Sequence, residues 1–179
     1  MFPIDLLQTF TKKLARPFPW SRPAQPVALT PSAALLASGG QVPAKRTTLN
    51  RTQAKAALKT AMTSVLGRAP TLAELKMLVA QSDLETRGWA AMWNWNFGNL
   101  VVGSTGAPWF MIPSDTTHKY HAFPTAAEGA TYWVKRMQKR FSDAWALLDS
   151  EDTLAVAQAL KDQHYYEAAV EDYASGLAA

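Results

Sequence analysis

Glu85 has the sequence setting expected of an acid catalyst. Leu75, Leu78, Ser82 and Glu85 recur at intervals that place them on one face of a predicted helix. A glutamate on that face points inward, and removal of its carboxyl from water raises the pKa. The nearby helix C-terminus also disfavours negative charge. A carboxyl that stays protonated near neutral pH can act as a general acid.

A second interpretation of Glu85 needs no catalysis. The carboxylate would pair with Arg87 if that guanidinium turned inward, or it would lie at the rim of the helix. Judged on the residue pattern alone, such a structural glutamate is at least as common as a catalytic one.

Aromatic and amide side chains follow Glu85 closely. Sugar rings present apolar C–H faces and polar edges, which suit indole rings flanked by amides. Core packing between two lobes is nevertheless the commoner role for any single tryptophan. The residues in question are Trp89, Trp93, Trp95 and Trp109, with Asn94, Asn96 and Asn99.

Three segments keep the order of motifs found in one family. The first segment is LVAQSDLETRGWAAMWNWNFGNL, which contains LET, GW and NFGNL elements. The second is KYHAFPTAAEGATYWVKRM, which contains EG and a later tyrosine. The third is ALKDQHYYEAAVEDYASGL, which contains tyrosines and a closing leucine. Together they resemble bacterial glucosaminidases of the flagellar-hydrolase and autolysin type, in the lysozyme-like superfamily. The resemblance runs from near residue 48 to the end of the chain.

The resemblance implies a peptidoglycan hydrolase that cleaves a β-1,4 bond beside N-acetylglucosamine, with Glu85 as general acid. It also implies that a C-terminal tyrosine lines the cleft, Tyr165 being the first choice and Tyr166 the alternative. Trp93, Asn96 and Asn99 are the further candidates for substrate binding.

The sequence departs from the family where a second carboxylate is expected. Many members carry a second glutamate after the Asn-rich turn, whereas Asp115 is the one acid between Phe97 and Pro124. Asp115 is therefore the candidate base or ion stabiliser, while Glu128 is better explained as a helix cap. Without a second carboxylate, the substrate's acetamido group would assist, or an anhydro-sugar would leave as in lytic transglycosylases.

Composition restricts the other functional classes. The chain has 179 residues and no cysteine, so disulfides and Cys-based metal sites are excluded. The spacing of His118, His121 and His164 predicts no metal site, and no cofactor is expected. Lys and Arg outnumber acids by eleven to two before residue 81, yet the pattern fits no nucleic-acid module. This basic half is a solvated arm or a surface for another polyanion.

The pattern predicts an α+β, predominantly helical fold with two parts. Residues 1–46 hold seven of the eleven prolines and form an amphipathic segment with a Pro-rich linker, while residues 47–179 form the lysozyme-like domain. Helices are expected at 50–66, 71–87, 125–141, 143–149, 152–162 and 167–177. A small β or irregular lobe would use Leu100–Val102, Trp109–Ile112 and Lys119–Ala122.

Delivery to the wall is the remaining question. The start of the chain does not resemble a Sec signal peptide, and no transmembrane segment is predicted. A wall hydrolase of this kind would travel with a phage particle or a secretion machine, docked through residues 1–46. The alternative function is a non-catalytic glycan-binding or structural component of such an assembly.

Overall fold

The computed structural model describes residues 39–103 and 106–179, and these form an α+β structure that is about half helical. The predictions for the amphipathic start of the chain and most of the linker lie outside the described residues. The elements are α1 (Arg51–Leu66), α2 (Leu72–Thr86), β1 (Trp109–Ile112), β2 (Asp115–His121), α3 (Ala126–Arg140), α4 (Ser142–Ala146), α5 (Thr153–Asp162) and α6 (Val170–Ala178).

The first two helices begin at the capping residues that the sequence predicts. The side chain of Asn50 accepts a hydrogen bond from the Gln53 N–H, and the Gln53 side chain accepts one from the Asn50 N–H. Thr71 and Glu74 exchange the same pair of bonds at the start of α2. α1 ends at Gly67, whose φ of 68° is left-handed. Both helix starts are therefore set locally.

The helices enclose one large hydrophobic core. α1 packs against α2 and α3, and α6 packs against both α2 and α5. The α2–α6 contact surrounds the end of α2, where Glu85 lies. Large, fully buried side chains of this core are Leu58, Met62, Leu78, Trp89, Met92, Phe97, Trp133, Met137, Leu148 and Leu160.

A two-stranded antiparallel sheet forms the second lobe. Trp109 pairs with His121 and Phe110 with Tyr120, and an irregularity follows between Phe110 and Ile112. Of the predicted strand Leu100–Val102, Val101 makes an isolated bridge to Tyr120. A small core of Val42, Phe110 and Ala122 lies beneath the sheet.

The packed structure includes residues that the sequence assigned to the linker. Val42 is buried, and its N–H donates to the Trp109 carbonyl over 2.8 Å. Pro43 has no backbone N–H to donate, but its carbonyl accepts a hydrogen bond from the Asn94 side chain, so a proline is compatible with this packed segment. Residues 41–46, which the sequence pattern places before the domain, are therefore part of the folded body together with Thr47.

The C-terminal helices lie close to their predicted positions. Thr125 accepts from the Glu128 N–H and begins α3, as the sequence predicts. α4 ends at Ala146, three residues early, and α6 begins at Val170, three residues late. Among the described residues, no helix is both long and apolar enough to cross a bilayer.

Gly129 tests how α3 is joined to the Trp-rich loop. A Cβ at this position would lie 1.9 Å from the Trp95 carbonyl oxygen, which cannot move without its loop. We expect Gly129→Ala to lower the free energy of unfolding by roughly 2 kcal/mol, although alanine is the better helix former. Urea unfolding measures this. Gly103→Ala is the control, because nothing lies within 4 Å of its added methyl; equal stability of the two variants would contradict the expectation.

Candidate functional site

Glu85 occupies the last turn of α2, on the buried face that the sequence predicts. Leu75, Leu78 and Ser82 on the same face are buried, and Glu85 is half-buried as a whole residue, with its carboxyl group enclosed. α2 ends at Thr86 because Arg87 turns left-handed, with φ 52°. This abrupt ending leaves the Glu85 carboxyl at the boundary between the helix and the following loop.

Within the described part of the chain, a tyrosine hydroxyl binds the Glu85 carboxyl. Tyr173 on α6 donates to Glu85 Oε1 over 2.9 Å. Burial raises the pKa of Glu85 to about 7, and hydrogen bonding from Tyr173 and Tyr165 opposes that rise. Arg87 is exposed, and no cation is among the described groups that shift this pKa. The geometry therefore favours a protonated carboxyl over a buried ion pair.

The three C-terminal tyrosines have different surroundings. The Tyr165 hydroxyl is buried, and it lies close enough to Glu85 to lower the pKa of the Glu85 carboxyl. Among the described residues, this hydroxyl makes no hydrogen bond of good geometry. Tyr166 lies flat on Tyr173, with ring centroids 3.9 Å apart, and its hydroxyl donates to the Ala157 carbonyl. Of the two predicted cleft tyrosines, the structure brings Tyr165 towards Glu85.

Tyr173 is the site residue that the sequence reasoning missed. It belongs to the third motif segment, but only Tyr165 and Tyr166 were chosen as candidates there. The signal was its spacing to Leu177, since residues four apart share a helix face and both are buried. That face of α6 packs on α2, which carries Glu85.

The two predicted asparagines, Asn96 and Asn99, make hydrogen bonds that fix the loop after α2. Asn96 is fully buried; its Oδ1 accepts from the Leu100 N–H, and its Nδ2 donates to the carbonyls of Leu100 and His121. Asn99 is exposed, and its Nδ2 donates to the Glu85 backbone carbonyl. Asn96 therefore joins the loop to the sheet, and Asn99 joins it to the end of α2; binding of substrate by either stays a prediction.

The four candidate tryptophans that follow Glu85 divide into one core residue and three partly exposed residues. Trp89 is 1% exposed, and its Nε1 donates to the Ser82 hydroxyl over 3.0 Å. Trp93, Trp95 and Trp109 are half-buried. The Arg46 guanidinium lies 4.4 Å from the centre of the Trp93 ring. Trp89 thus has the core-packing role, whereas sugar binding by Trp93 stays a prediction.

Asp115 lies at the start of β2, where it organises the hairpin. Its Oδ1 accepts from the Thr117 hydroxyl, and its Oδ2 accepts from the Tyr120 hydroxyl and contacts His118 Nδ1 over 2.8 Å. These bonds hold the pKa of Asp115 well below its usual range. No hydrogen bond joins Asp115 to Glu85 in the described part of the chain, so its catalytic role stays a prediction.

Within residues 39–103 and 106–179, His, Asp and Glu side chains form no group of three that could hold a metal ion. Among the described residues, the site offers a carboxyl with a raised pKa and tyrosine hydroxyls, and the hairpin offers an ionised carboxylate.

Comparison of the chain with protein-family models, with curated proteins and with solved structures finds no match. The functional argument therefore depends on the residues and their geometry.

The pH dependence of stability tests the burial of Glu85. Below pH 4.5 the carboxyl is protonated in both the folded and the unfolded chain. As the pH rises towards 7, the unfolded chain loses the proton first, so the free energy of unfolding falls, by up to about 3 kcal/mol. We expect Glu85→Gln to lack this loss and to be the more stable protein above pH 7. Urea unfolding at pH 5 and pH 8 measures the difference.

The matched control is Glu128→Gln, which changes an exposed carboxyl on α3. It should keep the pH dependence of the wild type. If the free energy of unfolding falls between pH 5 and pH 8 by the same amount in Glu85→Gln as in the wild type, Glu85 is not a buried acid.

Proposed function

We propose that this chain is a peptidoglycan hydrolase that cleaves a β-1,4 glycosidic bond of the wall glycan, of the N-acetylglucosaminidase type, with Glu85 as general acid. We further propose a lysozyme-like arrangement, in which the helical core and the β1–β2 lobe flank the glycan. The observation that carries the proposal is the burial of the Glu85 carboxyl against Tyr173, with a pKa of about 7.

The protonation state supports acid catalysis directly. A carboxyl with a pKa near 7 is about half protonated at neutral pH, whereas an ordinary glutamate is almost wholly ionised. General acids work best when their pKa lies near the working pH. Protonation of the glycosidic oxygen lets the sugar C1–O bond break while positive charge develops on the ring, and water then completes the hydrolysis.

The second catalytic group remains a choice between alternatives. Asp115 is ionised, as a base or ion stabiliser must be, but its oxygens are bound by Thr117, Tyr120 and His118. Assistance from the substrate's own acetamido group, or release of an anhydro-sugar, needs no second carboxylate. Mass spectrometry of the products separates hydrolysis from anhydro-sugar release, since a reducing end and an anhydro end differ by one water.

Delivery by a phage particle or a secretion machine belongs to the same proposal, with the start of the chain as the docking segment. Residues 41–47 pack against the loop and the sheet, so a deletion should stop at residue 38. A chain that lacks residues 1–38 should still degrade purified wall and should fail to join its assembly. Unchanged incorporation of the shortened chain into the assembly would contradict the docking role.

A non-catalytic glycan-binding role is the second candidate. The separate engagement of Asp115 in the hairpin favours it, because a carboxylate pair is the commonest glycosidase machinery. Such a protein would bind insoluble wall as tightly as the Glu85→Gln variant does and would release no soluble fragments.

Glu85→Gln tests the enzymatic proposal. We expect release of reducing ends or soluble muropeptides from purified wall to fall at least about 100-fold, because the amide cannot donate a carboxyl proton. Binding to insoluble wall should persist. Glu128→Gln should keep wild-type activity, and retained activity in Glu85→Gln would place the acid elsewhere.

Asp115→Asn separates the routes for the second group. We expect activity within about tenfold of wild type, because the neighbouring side chains already occupy the Asp115 oxygens. A loss as large as that of Glu85→Gln, with circular dichroism unchanged, would instead give Asp115 the catalytic role.

A further inference from the structure

The ring of Tyr173 is packed between neighbouring tyrosines, and its hydroxyl points at the Glu85 carboxyl. The residue is 8% exposed on α6. Tyr166 covers one ring face at an interplanar angle of 7°, and Tyr165 meets the ring edge-on at a centroid distance of 6.4 Å. The hydroxyl then reaches Glu85 Oε1 over 2.9 Å.

We propose that Tyr173 is the positioning residue of the acid: it fixes Glu85 Oε1 and leaves Oε2 as the atom that delivers the proton. This inference rests on the proposed function. A neutral carboxyl carries its proton on one oxygen, and the other accepts hydrogen bonds as a carbonyl does. Since Tyr173 donates to Oε1, the proton belongs on Oε2.

The same hydrogen bond favours the transfer step. The Oε2–H bond breaks, its electron pair stays on the carboxylate, and a new O–H bond forms on the leaving sugar. The carboxylate then accepts a charge-assisted bond from Tyr173, which is stronger than the bond to the neutral acid. An interaction that strengthens as the reaction proceeds lowers the barrier, whereas one of constant strength does not.

Tyr173 keeps its own proton throughout. Burial, together with the nearby Glu85, raises the pKa of Tyr173 well above its ordinary value. Of the described groups, Tyr165 and Gln81 lie near this hydroxyl pair. Of the charged side chains nearby, Arg87, Glu171 and Asp172 are exposed. Asp83 on α2 pairs with Arg51, and Lys161 on α5 donates to the backbone carbonyls of Glu167 and Ala168. The tyrosine hydroxyls are therefore the groups placed to adjust the acidity of Glu85.

Tyr173→Phe, which removes one oxygen and keeps the ring, tests the assignment. We expect kcat to fall about 10- to 100-fold with KM within about twofold, the loss expected for one charge-assisted hydrogen bond. The alkaline limb of the pH–kcat profile should move to higher pH, because the carboxylate has lost a donor. Tyr132→Phe is the matched control: it removes a tyrosine hydroxyl that contacts His121 Nε2 instead of Glu85, and it should leave both readouts unchanged.

A titration of the side-chain carboxyl carbons by NMR, with ¹³C-labelled glutamate, gives a readout that needs no activity. The Glu85 resonance, assigned by its absence in Glu85→Gln, should titrate at higher pH in Tyr173→Phe than in the wild type or Tyr132→Phe. An unchanged Glu85 midpoint in folded Tyr173→Phe would overturn the inference. A shifted midpoint in a protein that releases no wall fragments would instead overturn the proposed function and leave the positioning role intact.

A second measurement keeps the assignment testable if Tyr173→Phe does not fold. In the wild type labelled at the tyrosine ζ carbon, the Tyr173 resonance should show an inflection near pH 7, where Glu85 ionises. That inflection should be absent in Glu85→Gln, and Tyr120, bonded to Asp115, serves as the internal reference. No inflection at Tyr173 in the wild type would overturn the inference.

Discussion

The burial of one carboxyl between α2 and α6 is the constraint on which the candidate site depends. Removing a carboxylate from water costs several kcal/mol, and the cost is reduced when the group stays protonated or accepts a hydrogen bond. The fold meets both conditions at Glu85, since Tyr173 supplies the donor and the close packing of α6 supplies the burial. Gly176 permits that approach, because a Cβ there would lie 3.0 Å from a Leu84 methyl. The stability needed to bear this cost comes from the apolar core, not from the site.

The loop after Glu85 stores backbone strain and is held by amide side chains. Trp89, Asn94, Trp95 and Asn99 all have positive φ, a conformation that costs bulky residues roughly 1–2 kcal/mol each. The Asn94 side chain accepts from the Lys45 N–H and donates to a carbonyl of the same strap, residues 41–47. Buried amides thus satisfy a backbone that has no regular secondary structure. The strap, the loop and the end of α2 must form together, so the position of Glu85 depends on residues far away in sequence.

Local chemistry explains which parts of the structure could be predicted. The starts of α1, α2 and α3 follow from side-chain caps within three residues, and the inward face of α2 follows from helical periodicity. The strap was assigned to the linker because prolines suggest an extended chain, and pairing with Trp109 is not visible in that pattern. The role of Tyr173 is likewise not visible in a local pattern, because its contact with Glu85 spans 88 positions and depends on the packing of α6 on α2. Sequence periodicity indicated that Glu85 is buried but could not indicate what it is buried against.

The two candidate carboxyls are driven in opposite directions by their surroundings. Desolvation raises the pKa of Glu85, whereas hydroxyl donors lower that of Asp115, so near neutral pH Glu85 is about half protonated and Asp115 is ionised. Such divergence is the usual sign of an acid and its partner. Here, however, the donors that keep Asp115 ionised belong to its own hairpin, and a carboxylate that stabilises three neighbours is already explained by the fold. Glu85 is different, because its burial weakens rather than strengthens the folded state above pH 7. A residue retained at a cost to stability is better explained by chemistry than by packing, and that asymmetry is why the proposed activity rests on Glu85 alone.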